Sequence, residues 1–161
     1  MARYNHWMNE RLYECCAGIA DGERKRDMGA FFRSIHGTLN HLLLADRVWM
    51  GRFLGSSFVV KSLDQELYAE FVQLRVERAI TDEVIDHWVE ALDQRKLGGE
   101  LSYTSLANPA PRSYPLWLAV THFFNHQTHH RGQLTTLLSQ QGIDPGVTDL
   151  IGLPQAAEAT S

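Results

Sequence analysis

Apolar side chains recur at every third or fourth position in four long segments, the spacing that places them on one face of an α-helix. In the first segment this row begins with Tyr4, Met8 and Leu12. The pattern predicts four helices, over residues 3–20, from Met28 to Leu54, from Leu67 to Leu97 and over residues 115–141. Glycines follow each of them, and Gly and Pro are the residues that most often interrupt helices.

The segments between the helices differ in length. Residues 56–66 form a connection longer than a tight turn, which favours a crossover between the second and third helices. Residues 100–114 contain two prolines and alternate weakly, so they are either a small hairpin or an irregular loop. We therefore predict an all-α fold, a four-helix bundle that forms a single domain over residues 1–153, with a disordered tail at 154–161.

Composition narrows the function classes. The chain has 161 residues, a net charge of −4 and scattered basic residues, which disfavours a nucleic-acid-binding protein. No apolar run approaches 18 residues, and the first residues lack the apolar stretch of a signal peptide, so we expect neither a membrane span nor export. The only cysteines, Cys15 and Cys16, are adjacent, which disfavours a disulfide between them. These features predict a cytoplasmic protein.

Histidine is unusually frequent, and four of the eight histidines fall between positions 122 and 130. His122, His126 and His130 are spaced by four on the fourth helix, so they lie in line, and Gln133 continues the row. Apolar neighbours indicate that this row points into the bundle, where unpartnered imidazoles would be unfavourable. A divalent cation bound by two of them is one solution, and hydrogen bonds between buried histidines are the other.

A third metal ligand would have to come from another helix. The second predicted helix contains His36 and His41, and only His41 sits within an apolar run, Leu39 to Leu44. Taken alone, His41 is better explained as a core histidine that is hydrogen-bonded to a carboxylate or a backbone carbonyl. Together with the row on the fourth helix it is the best third ligand.

Three stretches carry a resemblance to a known family. They are Tyr4-Asn5-His6-Trp7-Met8-Asn9, Ser34 to His41 followed by Ala45-Asp46-Arg47-Val48-Trp49, and His122-Phe123-Phe124-Asn125-His126-Gln127-Thr128-His129-His130-Arg131-Gly132-Gln133. With them the chain resembles, over nearly its whole length, the DinB/YfiT-like family of bacterial four-helix bundles, which is distinct from the lesion-bypass DNA polymerase of the same name.

The resemblance implies a metal site of three histidines at His41, His126 and His130. It also implies an up-down-down-up bundle with a long crossover between helices two and three, often assembled as a homodimer. Related branches include thiol-dependent transferases and isomerases that use bacillithiol or mycothiol. Many members have no assigned reaction, so the resemblance implies the metal site but does not identify the substrate.

Three protein ligands leave a coordination position open, as in catalytic metal sites. We therefore expect a metal-dependent enzyme acting on a small molecule, of the thiol-dependent S-transferase or hydrolase type. The alternatives are a non-catalytic metal-binding protein of the stress response and a purely structural bundle. Zinc and nickel are the favoured ions, with iron and manganese as further candidates.

Other residues receive supporting roles. Asn125, Gln133 and Asp46 are candidates to orient the imidazole N–H groups, because metal-bound histidines usually donate their second nitrogen to such partners. His122 is expected to line the cavity. Phe124, on the face opposite the histidines and near Trp117 and Val120, predicts a homodimer that uses part of the fourth helix.

Overall fold

The structure is a computed structural model that describes residues 1–105 and 110–154. This part of the chain is mostly helical and contains a small two-stranded sheet. Its elements are α1 (Ala2–Ala17), α2 (Asp21–Lys25), α3 (Ile35–Phe53), α4 (Phe71–Glu90), α5 (Gln94–Leu97), β1 (Glu100–Thr104), β2 (Pro111–Pro115), α6 (Leu116–Gln140) and a 3₁₀ turn at Leu150–Gly152. None of the described helices is long and apolar enough to cross a membrane.

The four long helices pack side by side, with α1 and α3 each contacting both α4 and α6. Contacts at both ends of each pair define the directions: α4 runs antiparallel to α1 and parallel to α3, while α6 runs antiparallel to α3. The defining contacts are His6–Asp86 and Glu14–Arg75, then Arg47–Glu77 and Phe53–Trp88, then Trp49–His122 and His41–His130. In chain order the long helices therefore run up, down, down and up. The segment between α3 and α4 crosses the length of the bundle.

Two apolar clusters fill the interior, and a layer of buried polar side chains lies between them. At its centre, Arg78 contacts the carboxylates of Asp46 at 2.6 Å and Asp82 at 3.0 Å. Asn9 of α1 donates to Asp82, and Gln127 of α6 donates to Asp46. All four long helices thus contribute to this layer. Because each buried charge needs its partner, the layer favours one register of the helices over others.

The all-α prediction needs a correction, because residues 100–104 and 111–115 pair as antiparallel strands. Of the two alternatives for this segment, the hairpin is therefore right. Pro111 and Pro115 occupy the two ends of β2, where proline disturbs strand pairing least. The paired residues lie 7 to 15 positions apart in the chain, and weak alternation alone does not reveal such pairing.

Helix boundaries also differ from those predicted. The second long helix begins at Ile35 rather than Met28, because Ser34 caps it by accepting a hydrogen bond from the Gly37 N–H. The preceding turn contains Arg33 at a φ of 65°. The predicted third helix is divided at residues 91–93, where Asp93 caps a new short helix. The predicted disordered tail lies almost entirely outside the described residues.

Helix α6 is buried on two sides because it lies against both α1 and α3. Phe124, predicted to face outward, is buried and packs edge-on against Phe123. Arg131, seven residues later and on the same face of α6, is also buried and donates to Asn5 of α1. A helix with two neighbours has two apolar faces, which a single histidine row does not disclose.

Candidate metal centre

The three histidines singled out from the sequence come together between α3 and α6. The ring centroids are separated by 4.5 Å for His41 and His130, 4.3 Å for His126 and His130, and 5.6 Å for His41 and His126. One ring nitrogen from each lies within 4.8 Å of the others. His126 and His130 form one side of the cluster, because residues four apart on α6 share a helix face. His41 lies opposite them on α3, which packs antiparallel to α6.

Hydrogen bonds fix which nitrogen of His130 carries its proton. The Nδ1 of His130 lies 2.9 Å from the Oε1 of Gln133, and the Nε2 of Gln133 lies 3.3 Å from the Nε2 of His129. The amide nitrogen of Gln133 can only donate, so it donates to His129 while its oxygen accepts the Nδ1–H of His130. The Nε2 lone pair of neutral His130 is then free, and it faces the Nε2 of His126 at 3.0 Å.

His41 is oriented in the same way by the chain between α3 and α4. Its Nδ1 donates to the carbonyl oxygen of Leu63 at 2.8 Å. Its Nε2 is buried and has no hydrogen-bond partner among the described residues. A buried nitrogen lone pair without a partner is unfavourable in a folded protein, and cation binding is one way to satisfy it.

The surroundings keep all three imidazoles uncharged. Phe32 stacks on His41 with ring centroids 3.7 Å apart, and it contacts His130 edge-on at 5.4 Å. Burial, reinforced by the neighbouring imidazoles, lowers the pKa of His41 to about 4 and that of His126 to about 3. Burial also lowers the pKa of His130. At neutral pH the cluster therefore presents neutral imidazoles, the form that binds metal ions.

Asn40 holds the crossover segment against the site. Its side-chain oxygen accepts the N–H groups of Leu67 at 2.8 Å and Tyr68 at 3.0 Å, and its nitrogen donates to the Tyr68 carbonyl at 3.1 Å. The same segment supplies the Leu63 carbonyl that orients His41. Sequence reasoning did not assign Asn40 a role. The position of the polar Asn40 inside the apolar run around His41 could have indicated a structural role. The role of the Leu63 carbonyl could not be predicted, because it belongs to the backbone and has no sequence pattern.

Of the three residues predicted to orient the imidazoles, Gln133 contacts a histidine of the cluster, whereas Asp46 and Asn125 do not. Gln133 does contact His130. Asp46 does not contact a histidine of the cluster, because its carboxylate is engaged by Arg78 and Gln127. Asn125 is exposed on α6, one residue before His126, and therefore points away from the site.

The remaining histidines of the row lie outside the cluster. His122 is exposed, and its ring lies 5.8 Å from that of His126 and 5.1 Å from that of Trp49. His129 is exposed beside His130, at 4.8 Å between ring centroids. Within residues 1–105 and 110–154, the group of residues that could hold an ion therefore consists of His41, His126 and His130.

The sequence matches the DinB family over residues 1–160. The chain belongs to the DinB family. A curated relative, Protein DinB of Bacillus subtilis strain 168, is 27% identical over 155 residues, which cover 91% of this chain and 87% of that protein. The resemblance read from the motifs is thereby confirmed. Membership in the DinB family specifies no reaction.

The residues of this DinB-family chain fit a metal ion on chemical grounds. The donors are three neutral imidazoles, two of them held by hydrogen bonds from their second nitrogen to Leu63 and Gln133. Such partners fix the ring orientation and increase the basicity of a ligand. Without a cation, one of the close nitrogens of His126 and His130 must carry a proton toward the other, and the buried Nε2 of His41 stays unpaired. Three histidines can thus hold one ion.

Proposed function

We propose that this DinB-family protein is a metal-dependent enzyme that acts on a small molecule, with His41, His126 and His130 as the metal ligands. The single observation that carries the proposal is the buried Nε2 of His41, which has no hydrogen-bond partner in the part of the chain that the structure describes and lies beside two further neutral imidazoles. Three ligands from the protein leave room for a further ligand, which is typical of catalytic rather than structural sites.

A divalent ion bound there supplies Lewis acidity, which lowers the pKa of a coordinated thiol or water. The chain's own residues hold the three nitrogens in place and exclude solvent from one side. Phe32 covers His41, while His122 and His129 occupy the exposed side of the cluster.

Neither cysteine belongs to this site: Cys16 is buried in the apolar core, and burial raises the pKa of its thiol to about 12. The nucleophile would then come from a second substrate, and a low-molecular-weight thiol is the type we propose. Zinc and nickel suit the imidazole ligands best, with iron and manganese as further candidates.

Metal analysis of the protein purified without an affinity tag tests the site itself. We expect close to one equivalent of a divalent metal per chain, and its loss in the variant His126→Ala. Asn125→Ala is the matched control, because it removes an exposed neighbour on the same helix. Protein without bound metal that also fails to take up zinc would overturn the proposal.

Turnover needs a separate test, because a non-catalytic metal-binding protein of the stress response is the alternative. The metal-loaded protein is incubated with low-molecular-weight thiols and a panel of alkylating and epoxide electrophiles, and thioether formation is measured. We expect a rate above the uncatalysed reaction that is lost in His126→Ala. An equal rate in both proteins would leave only the binding role. That the reaction takes place in the cytoplasm is part of this proposal.

We also propose a homodimer, but not through the surface predicted from the sequence, since Phe124 is buried within the chain. Helix α4 instead presents an exposed apolar row, defined as Val72, Val76, Ile80 and Val84, which are 75%, 53%, 49% and 42% exposed. Spacing by four places the row on one helix face. Arg75 and Glu83 flank it on the same side, and Arg75 also contacts Glu14 of α1 at 2.6 Å. An antiparallel second copy would bring Glu83 of the partner subunit to the same guanidinium, which has donors for both carboxylates. This charge complementarity favours a second copy of the chain as the occupant.

Molar mass measured by light scattering tests this assembly. Wild type should have the mass of a dimer, and the double variant Val76→Lys/Ile80→Lys should have that of a monomer. Both positions are exposed, so the fold should survive. Trp117→Lys, at the exposed start of α6, is the control and should remain dimeric. A monomeric wild type, or dissociation by the Trp117 change alone, would contradict the proposal.

A further inference from the structure

Arg52, in the last turn of α3, is held between two aromatic rings. Its guanidinium carbon lies 4.4 Å from the centroid of the Trp49 ring and 4.1 Å from that of Tyr103 in β1. The two rings are themselves in contact, with centroids 5.6 Å apart. Stacking of this kind restricts the guanidinium and leaves the N–H groups at its edge free to donate.

No carboxylate pairs with Arg52 within residues 1–105 and 110–154. Neighbouring arginines behave differently, since Arg47 contacts Glu77 and Arg78 contacts Asp46. No hydrogen bond from the Arg52 side chain to a described residue is formed either. Partial burial lowers the pKa of Arg52, and among the described residues only the phenol of Tyr103 opposes this shift. A cation that is partly removed from water, fixed in position and without a counter-charge is suited to bind an external anion.

A cavity of about 520 Å³ lies beside Arg52, bounded by the end of α3, the turn at residues 55–58 and β1. Ser57 and Thr104 contribute hydroxyl groups to its lining. Gly51 allows the turn to approach the helix closely, because a Cβ at this position would clash with the carbonyl oxygen of Ser56 and lie 3.0 Å from the Phe58 nitrogen. The wall of the cavity is therefore built by close backbone packing.

On the other side of Arg52, a row of side-chain contacts leads to the histidine cluster. From Arg52 the row passes to Trp49, then to His122 at 5.1 Å between rings, then to His126 at 5.8 Å. Along α3, His41 and Arg52 are eleven residues apart, which corresponds to about 16 Å of helix axis. A ligand with one end at the cluster and the other at Arg52 would therefore be an extended molecule of roughly 10 Å, after allowing for the contact distances at both ends.

We propose that Arg52, fixed between Trp49 and Tyr103, binds the oxyanion end of a small-molecule substrate whose other end reaches the cluster of His41, His126 and His130. The inference rests on the proposed metal-dependent function and adds the class of substrate, an extended molecule with a terminal carboxylate or phosphate. The planar guanidinium donates two parallel hydrogen bonds, which match either group. Trp49 and His122 form the surface along which the middle of the molecule lies.

Linear hydroxamates can test whether one molecule contacts both the cluster and Arg52. The hydroxamate group binds metal ions, and the group at the other end of the chain can be varied. The probes have eight-carbon chains ending in a methyl group, a carboxylate or a phosphonate, and their affinity for the zinc-loaded protein is measured by calorimetry. We expect the two charged probes to bind about tenfold more tightly than the methyl probe, as for a charge-assisted hydrogen bond to a half-exposed arginine. In Arg52→Met this preference should disappear while the affinity for the methyl probe is retained.

Control variants separate recognition by Arg52 from general charge and folding effects. Arg95→Met removes an exposed arginine of α5 and should keep the full preference. Arg52→Lys should keep part of it. An equal affinity for all three probes in wild type, or a preference that survives in Arg52→Met, would overturn the subsite and leave the metal site intact. Failure of every probe to bind, in a protein that retains no zinc, would overturn both proposals.

Discussion

The side chain of Asn40 offers the sharpest test of how the crossover segment supports the metal centre. Asn40→Ala removes four hydrogen bonds, two accepted from Leu67 and Tyr68 and two donated to the Tyr68 and His36 carbonyls. At roughly 0.5–1.5 kcal/mol net for each, the loss of unfolding free energy should be about 2–6 kcal/mol. For a chain of this size that corresponds to a decrease in melting temperature of roughly 5–25 °C.

Asn40→Ala should also affect the metal centre, because it releases the segment between α3 and α4. This segment contains the Leu63 carbonyl that orients His41. Loss of a partner that orients a ligand histidine typically lowers metal affinity about tenfold to a hundredfold. Zinc affinity is measured by competition with a chelating dye well below the melting temperature, and stability by calorimetry in excess chelator. Asn125→Ala is the control for both readouts. A stability loss without any change in zinc affinity would refute the coupling, and no change in either would refute the role of Asn40 altogether.

Three further predictions concern the core and the site. Arg78→Met leaves Asp46 buried without its counter-charge and should destabilise the fold by about 3–5 kcal/mol in denaturant titrations, whereas a loss below 1 kcal/mol would contradict a buried ion pair. Gly37→Ala places a Cβ against the backbone carbonyl oxygen of Phe32 and should displace this residue. Because the Phe32 ring stacks on His41, its displacement should weaken zinc binding. In metal-free protein the folded pKa of His126, about 3, lies below the unfolded value of 6.5, so the unfolded state binds more protons between these values. Stability should therefore decrease as the pH falls from 6.5, with a shallower dependence in His126→Gln, and an unchanged slope would exclude this cause.

Much of the helical architecture was accessible from local patterns. The three- and four-residue apolar spacing predicted all four long helices, because amphipathicity depends on positions within one segment. Boundaries were less accessible: the start at Ile35 depends on the Ser34 cap and the turn containing Arg33, whose geometry is set by neighbouring segments. The β1–β2 pair was one of two open alternatives, because pairing depends on residues 7 to 15 positions apart.

The sequence by itself determined that neutral nitrogen donors line one face of a helix, since the four-residue spacing of His126 and His130 needs no further information. It also singled out His41 as the best partner for them. Only the tertiary structure decided that the Leu63 carbonyl and Gln133 orient the rings of His41 and His130, and that Asp46 pairs with Arg78 instead. It also decided that Arg52, between Trp49 and Tyr103, has no counter-charge in the described part of the chain. The reason is physical: helix periodicity is a local property of the chain, whereas hydrogen-bond partners and unpaired charges are defined by which distant segments pack together.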